Sequence, residues 1–96
     1  MILFYVKYQI KEGKSRENFF RELQEADIIQ LTRDEAGNKR YDFSYSAENP
    51  DQVCLAEVWE RPAALAEHKT TDQFFRLQEI KGRYVQNMDL TQYEVR

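Results

Sequence analysis

The stretch RYDFSYSAENPDQVCLAEVWE, residues 40–60, decides the fold. From Arg40 to Ala47 apolar and polar side chains alternate, with Tyr41, Phe43 and Tyr45 sharing one face. Alternation of this kind is the period of a half-buried strand. Glu48-Asn49-Pro50-Asp51 is a turn, because proline presets φ and Asn and Asp bond their own backbone. Val53 to Glu60 alternates again, with Val53, Leu55, Glu57 and Trp59 on one face and Cys54, Ala56 and Val58 on the other. Residues 40–60 therefore read as a β-hairpin.

Working outward, Met1 to Lys11 is a first strand, with Ile2, Phe4, Val6, Tyr8 and Ile10 on one side. Its other side carries Leu3 and Tyr5, then Lys7, Gln9 and Lys11. Glu12-Gly13-Lys14 is a turn and Ser15 a helix cap. Phe19, Phe20, Leu23 and Ala26 stand at helical spacing, predicting one amphipathic helix of roughly four turns that ends near Leu31 to Arg33. Asp34 to Asn38 is a loop with Gly37 as its left-handed residue. After the hairpin, Pro62 fits the first turn of a second helix. His68-Lys69-Thr70-Thr71-Asp72 interrupts it, and Thr71 or Asp72 caps a new start. Phe74, Phe75, Leu77 and Ile80 continue the stripe to about Gly82. A last strand runs from about Met88 to Val95. The order β-α-β-β-α-β makes residues 1–96 one α+β domain of ferredoxin-like, split-βαβ type, an antiparallel sheet with helices on one face.

Composition narrows the function. The chain has 96 residues, 42% hydrophobic and 32% charged, with a net charge of −3. A nucleic-acid binder needs a basic surplus, and there is none. The longest apolar run, Ile2 to Val6, is far too short to span a bilayer. It also lacks the small-residue cleavage site of a signal peptide. Cys54 is the sole cysteine, so no disulfide forms within the chain and a reducing cytoplasm is the expected setting. Three glycines, Gly13, Gly37 and Gly82, are too few and too far apart for a phosphate-cradling loop. One histidine and one cysteine make an ordinary metal centre unexpected. A sheet covered on one face only leaves the other face wet in a chain this small, which points to a second subunit.

Three segments carry a family resemblance: Ile10-Lys11-Glu12-Gly13-Lys14; Glu35-Ala36-Gly37-Asn38-Lys39-Arg40-Tyr41; and Glu57-Val58-Trp59-Glu60 followed by Ala64-Leu65-Ala66-Glu67-His68 and Phe74. Together they resemble the antibiotic biosynthesis monooxygenases, a family of dimeric α/β barrels. The third segment is the most specific. Some members of that family oxidise polycyclic quinols or anthrones with molecular oxygen and no cofactor. Others isomerise a phosphorylated sugar-like ketone, and His68-Lys69-Thr70-Thr71 is similar to that branch. A haem-degrading relative expects Trp near position 68 and His about ten residues later, where this chain has His68 and Gln78.

The resemblance implies a homodimer whose two sheets face each other. Burying a few hundred Å² of apolar surface per subunit would contribute several kcal/mol at roughly 25 cal/mol/Å². It implies a small-molecule substrate, molecular oxygen if the activity is oxygenation, and no cofactor. The candidate catalytic residues are His68, Glu57 and Trp59. His68 is the one side chain whose ordinary pKa lies near neutrality; the alternative is a helix-end histidine bonding backbone. Glu57 could shuttle protons or pair with an arginine. Trp59 could stack on a planar ring or pack in the core or dimer interface. Tyr41, Phe43, Tyr45 and Phe74 are candidate pocket residues, or ordinary sheet and core packing. Two activities stay open: oxygenation of a small aromatic or enolisable substrate, and isomerisation of a hydroxy-ketone with Lys69 or Arg40 holding a phosphate. A non-catalytic ligand-binding dimer is the third reading.

Overall fold

The hairpin forms as its alternation predicts. In the computed structural model, which describes residues 1–96, strand β2 (Asn38–Tyr45) pairs antiparallel with β3 (Gln52–Trp59). Strand β1 (Ile2–Ile10) pairs with β3 on the other side, and β4 (Val85–Glu94) pairs with β1, giving the antiparallel order β2-β3-β1-β4. The register sets Tyr41, Glu57 and Phe4 in one row across the sheet, and Phe43, Leu55 and Val6 in the next. Period two then sends that whole set to the helix side. Val6, Tyr8, Ile10, Tyr41, Val53 and Leu55 are buried there.

Four helices cover that face: α1 (Arg16–Glu25), α2 (Ile28–Arg33), α3 (Pro62–His68) and α4 (Asp72–Tyr84). Ser15 caps α1 by accepting the Asn18 N–H at 3.1 Å. The expected single first helix is instead two. Asp27 adopts φ 59 and splits it. The reason is angular. Phe19 and Leu23 lie on one stripe, but Ile28 comes five residues after Leu23, about 140° around at 100° per residue. One left-handed residue swings the chain so that Ile28 and Thr32 are buried as well. The second interruption falls where expected. Thr71 Oγ1 donates to the His68 carbonyl at 2.7 Å and accepts the Phe74 N–H at 3.2 Å, closing α3 and opening α4. The last strand starts at Val85, three residues earlier than expected, because α4 runs straight into it with no intervening loop.

Two side-chain clusters lock the layers. Arg16 Nη1 donates to the carbonyls of Ser46 at 2.9 Å and Asn49 at 3.0 Å, and its guanidinium lies 4.3 Å from the Tyr45 ring centre. Glu22 accepts from Arg83 at 2.8 Å and from the Tyr84 hydroxyl, tying α1 to the end of α4. The sheet's other face stays bare. Leu3, Tyr5, Ala56, Val58 and Tyr93 cluster on it, with Tyr5 39% and Tyr93 53% exposed. Cys54 is a buried free thiol on the same side. No helix is long and apolar enough to cross a membrane.

The loop before β2 is pressed against α3. Gly37 has φ +86, its carbonyl accepts the Glu60 N–H at 2.8 Å, and a Cβ placed on it would lie 2.5 Å from Ala64 Cβ. Gly37→Ala therefore meets a backbone penalty and a clash with helix α3 together. A loss of at least about 2 kcal/mol is expected in urea unfolding. A change within a few tenths of a kcal/mol would mean the loop yields without disturbing α3.

Candidate active site

His68 ends α3 and is almost sealed, 3% exposed. Three rings box it in: Trp59 at 4.7 Å between centres, Phe74 at 5.2 Å and Tyr41 at 6.4 Å. Behind it, Nδ1 lies 2.7 Å from Glu35 Oε2. A carboxylate only accepts, so Nδ1 is the donor, and whenever the ring is neutral its lone pair is on Nε2. On its other side the His68 side chain lines a cleft. Glu35 is fixed in turn by Gln73 Nε2, which donates to the same oxygen at 3.1 Å. A carboxylate that orients an imidazole from behind is how a histidine is held as a base.

The cleft has a volume of about 270 Å³ and lies between the helix side of the sheet and the α3–α4 corner. Phe4, Val6, Tyr8, Tyr41 and Glu57 form the floor. Leu65, His68, Lys69, Phe74, Leu77, Gln78 and Lys81 form the helical wall, and Met88 and Leu90 of β4 form the open flank. Glu57 points in from the centre of the floor. Burial pushes its carboxyl above the usual range, against the pull of the Trp59 N–H and the charges of His68, Lys81 and Lys69. Burial also raises the Tyr41 and Tyr8 hydroxyls, with the Glu57 charge adding to both.

The expected site residues sort into two groups. His68, Glu57, Tyr41 and Phe74 meet at the cleft. Trp59 is fully buried behind His68, and its Nε1–H is spent on Glu57 Oε1 at 2.7 Å, so it supports both residues without lining the cleft. Phe43 and Tyr45 do not reach the cleft. They pack edge-on against Phe20, at 6.0 and 6.2 Å, further along β2. They share the face of Tyr41, but period two gives a face and no depth along the strand. Arg40 pairs with Asp42 at 3.3 Å, away from the cleft. Two residues escaped the sequence reading, Glu35 and Lys81. Glu35 sits in the loop segment quoted for its turn chemistry, and its partner is 33 residues away. No three His, Cys, Asp or Glu side chains converge as a metal site.

The raised Glu57 carboxyl has a stability consequence. The folded state holds this proton more tightly than the unfolded chain, so its contribution falls as pH climbs through the unfolded and then the folded pKa. Glu57→Gln removes the buried charge and keeps an oxygen for the Trp59 N–H. The variant is expected to unfold at higher urea than the parent near neutral pH, with the gain shrinking towards about pH 4. A gain independent of pH would show that burial of this charge is not its source.

A sequence model of the antibiotic biosynthesis monooxygenase family matches residues 1–80. No curated protein sequence matches. Solved structures match closely. PA3566 from Pseudomonas aeruginosa is 25% identical with TM-score 0.84, over 99% of this chain and 94% of that one. SO0527 from Shewanella oneidensis is 29% identical with TM-score 0.83, over 96% and 87%. A Nitrosomonas europaea protein proposed as an antibiotic biosynthesis monooxygenase is 23% identical with TM-score 0.85, over 99% and 98%, a likeness of fold. With the match running through both hairpin strands, His68 and most of α4, the chain belongs to the antibiotic biosynthesis monooxygenase family.

Proposed function

We propose that the protein is a cofactor-independent monooxygenase of a small aromatic, quinol-like or enolisable substrate. The observation that carries this is the buried Glu35–His68 pair, with His68 lining a mostly apolar cleft of about 270 Å³. A substrate C–H proton moves to His68 Nε2, and its electron pair stays on the substrate as an enolate or phenolate. One electron passes from that anion to O2, and the radical and superoxide combine into a peroxide anion. The imidazolium returns the proton, and the hydroperoxide loses water to leave a carbonyl. The sum is one CH2 and one O2 going to one C=O and one H2O. The chain supplies the base, the carboxylate behind it and a mostly apolar cleft; the substrate supplies the electrons.

Lys69 and Lys81 at the cleft favour a second reading. The same base could move a proton between carbons of a hydroxy-ketone whose phosphate meets the lysines, with no oxygen consumed. A binder without turnover has no need of an oriented imidazole.

Oxygen uptake by the purified protein with quinols and anthrones is the deciding assay. Uptake is expected, reduced about 10²–10⁴-fold in kcat by His68→Ala and less by Glu35→Gln, which keeps the ring in place but weakens the anchor. No uptake from any quinol or anthrone would remove the oxygenase reading and pass the site to phosphorylated hydroxy-ketones.

The bare sheet face supports a homodimer. Leu3, Tyr5, Val58 and Tyr93 are the apolar surface that a second sheet would cover. We place this dimer in the cytoplasm, in keeping with the lone free thiol. Light scattering at micromolar concentration is expected to give twice the 11.6 kDa chain mass, and Tyr5→Glu to give the monomer. A monomeric parent would refute the paired barrel.

A further inference from the structure

Lys81 is the one cationic group drawn down into the cleft. Phe74, Leu77, Gln78 and Lys81 stand at i, i+3, i+4 and i+7 on α4 and line the cavity as one stripe. Seven residues of helix put Lys81 about 10 Å from Phe74. Phe74 rests on His68, so base and cation lie towards opposite ends of the wall. Lys69, by contrast, is exposed at the rim. The Lys81 ammonium joins no ion pair or hydrogen bond. Its resolved neighbour is the face of the Tyr8 ring, with Nζ 5.2 Å from the centre. The groups that face the same space are Tyr8 from β1, Tyr41 from β2, Glu57 from β3 and His68 and Lys69 from α3, while β4 contributes only Met88 and Leu90. Residue 81 lies one position beyond the span the family model matches.

We infer that the Lys81 ammonium anchors the ionising oxygen of the substrate, and that the substrate is a conjugated phenol or enol with this oxygen about a ring's length from the proton taken by His68. A half-buried ammonium with a carboxylate nearby but no direct ion pair or hydrogen bond has room for a further counter-charge. Desolvation already weakens its hold on its own proton, and a facing anion would restore it. The setting selects the kind of anion. Glu57 stands close enough to act on Lys81, so a doubly charged phosphate would meet a carboxylate as well as one ammonium. A phenolate or enolate carries a single charge spread over its ring, and a lining that includes Phe4, Phe74, Leu77 and Leu90 suits that ring. When His68 removes a proton at one end, conjugation delivers the charge to the oxygen at the other. Lys81 then binds the anion better than the neutral substrate, which is the condition for lowering the barrier.

This inference rests on the function proposed above, and its test is independent of turnover. The probe is 4-nitrophenol, small enough for the cleft and coloured only as its phenolate. Its absorbance is titrated against pH with excess protein. The parent is expected to stabilise the phenolate about tenfold or more, moving the colour change down by about one pH unit. Lys81→Met and Lys81→Gln should abolish the shift, and Lys81→Arg should restore most of it. Circular dichroism checks that α4 survives each change. An unchanged shift in folded Lys81→Met, or no shift with the parent, would overturn the anchor. If the shift depends on Lys81 while no quinol consumes oxygen, the oxygenase reading fails and the anchor stands. If oxygen uptake depends on His68 while the shift ignores Lys81, the reverse holds.

Discussion

Glu35 and His68 belong to different crossover connections of the sheet, and their contact at 2.7 Å sets much of the remaining site. The side chains are 12% and 4% exposed, so little water competes for the bond. Removing Glu35 would leave the His68 Nδ1–H buried and unmet, and removing His68 would leave Glu35 with Gln73 alone, which costs more than a surface pair returns. The contact demands that the loop before β2 lie hard against α3. That explains a glycine in the left-handed region at Gly37, where a Cβ would strike Ala64. It also explains why α3 stops where it does. Thr71 bonds the His68 carbonyl and starts α4, so the imidazole ends a helix whose last turn is tied.

The rest of the cleft follows from this placement. With the ring held from behind, Trp59 lies along one side of it, and that indole spends its N–H on Glu57. Glu57 is thereby held in an apolar floor where its charged form is disfavoured by burial and sustained by the Trp59 N–H and the nearby cations. Tyr41 completes the corner with a buried hydroxyl that faces the buried hydroxyl of Thr32. Burying the Glu57 charge costs the fold stability, and the apolar layer of Phe19, Leu23, Ile28, Leu55 and Val6 offsets it.

What could be read in the sequence was what period and turn chemistry encode. Residues 40–60 declare a hairpin because strict alternation flanks Asn49-Pro50, and alternation gives each strand its face, Tyr41 with Phe43 and Leu55 with Glu57, while the register that joins the two faces comes from the structure. The break at Thr71 was visible because threonine caps. The break at Asp27 was not, because aspartate at positive φ has no periodic mark and tertiary burial of Ile28 imposes it. Depth along a strand is equally silent. Tyr41 reaches the cleft and Tyr45 does not, although they alternate alike. His68 and Glu57 were found through residue chemistry and the family pattern. Glu35 was hidden because its partner is long-range, and Lys81 because a lysine on an amphipathic helix reads as part of the wet face.

The choice between oxygenation and isomerisation turns on the fate of one carbanion. Both begin with the same proton leaving for His68. In an isomerase the carbanion must be reprotonated, so a proton donor within reach is an advantage. In an oxygenase it must survive until O2 arrives, so water must stay out. The cleft is closed by the sheet floor and the α4 wall, but its β4 flank leaves Met88 46% and Leu90 51% exposed. A small hydrophilic ketone would leave that flank wet. A flat aromatic substrate would lie against those two side chains, expel the water there and gain about 25 cal/mol for each Å² of apolar surface it covered. On the proposed function, the ring that gives an electron to oxygen would also seal the cleft. Water exclusion in this site depends on the substrate's own apolar area, and that places the oxygenase reading ahead of the isomerase.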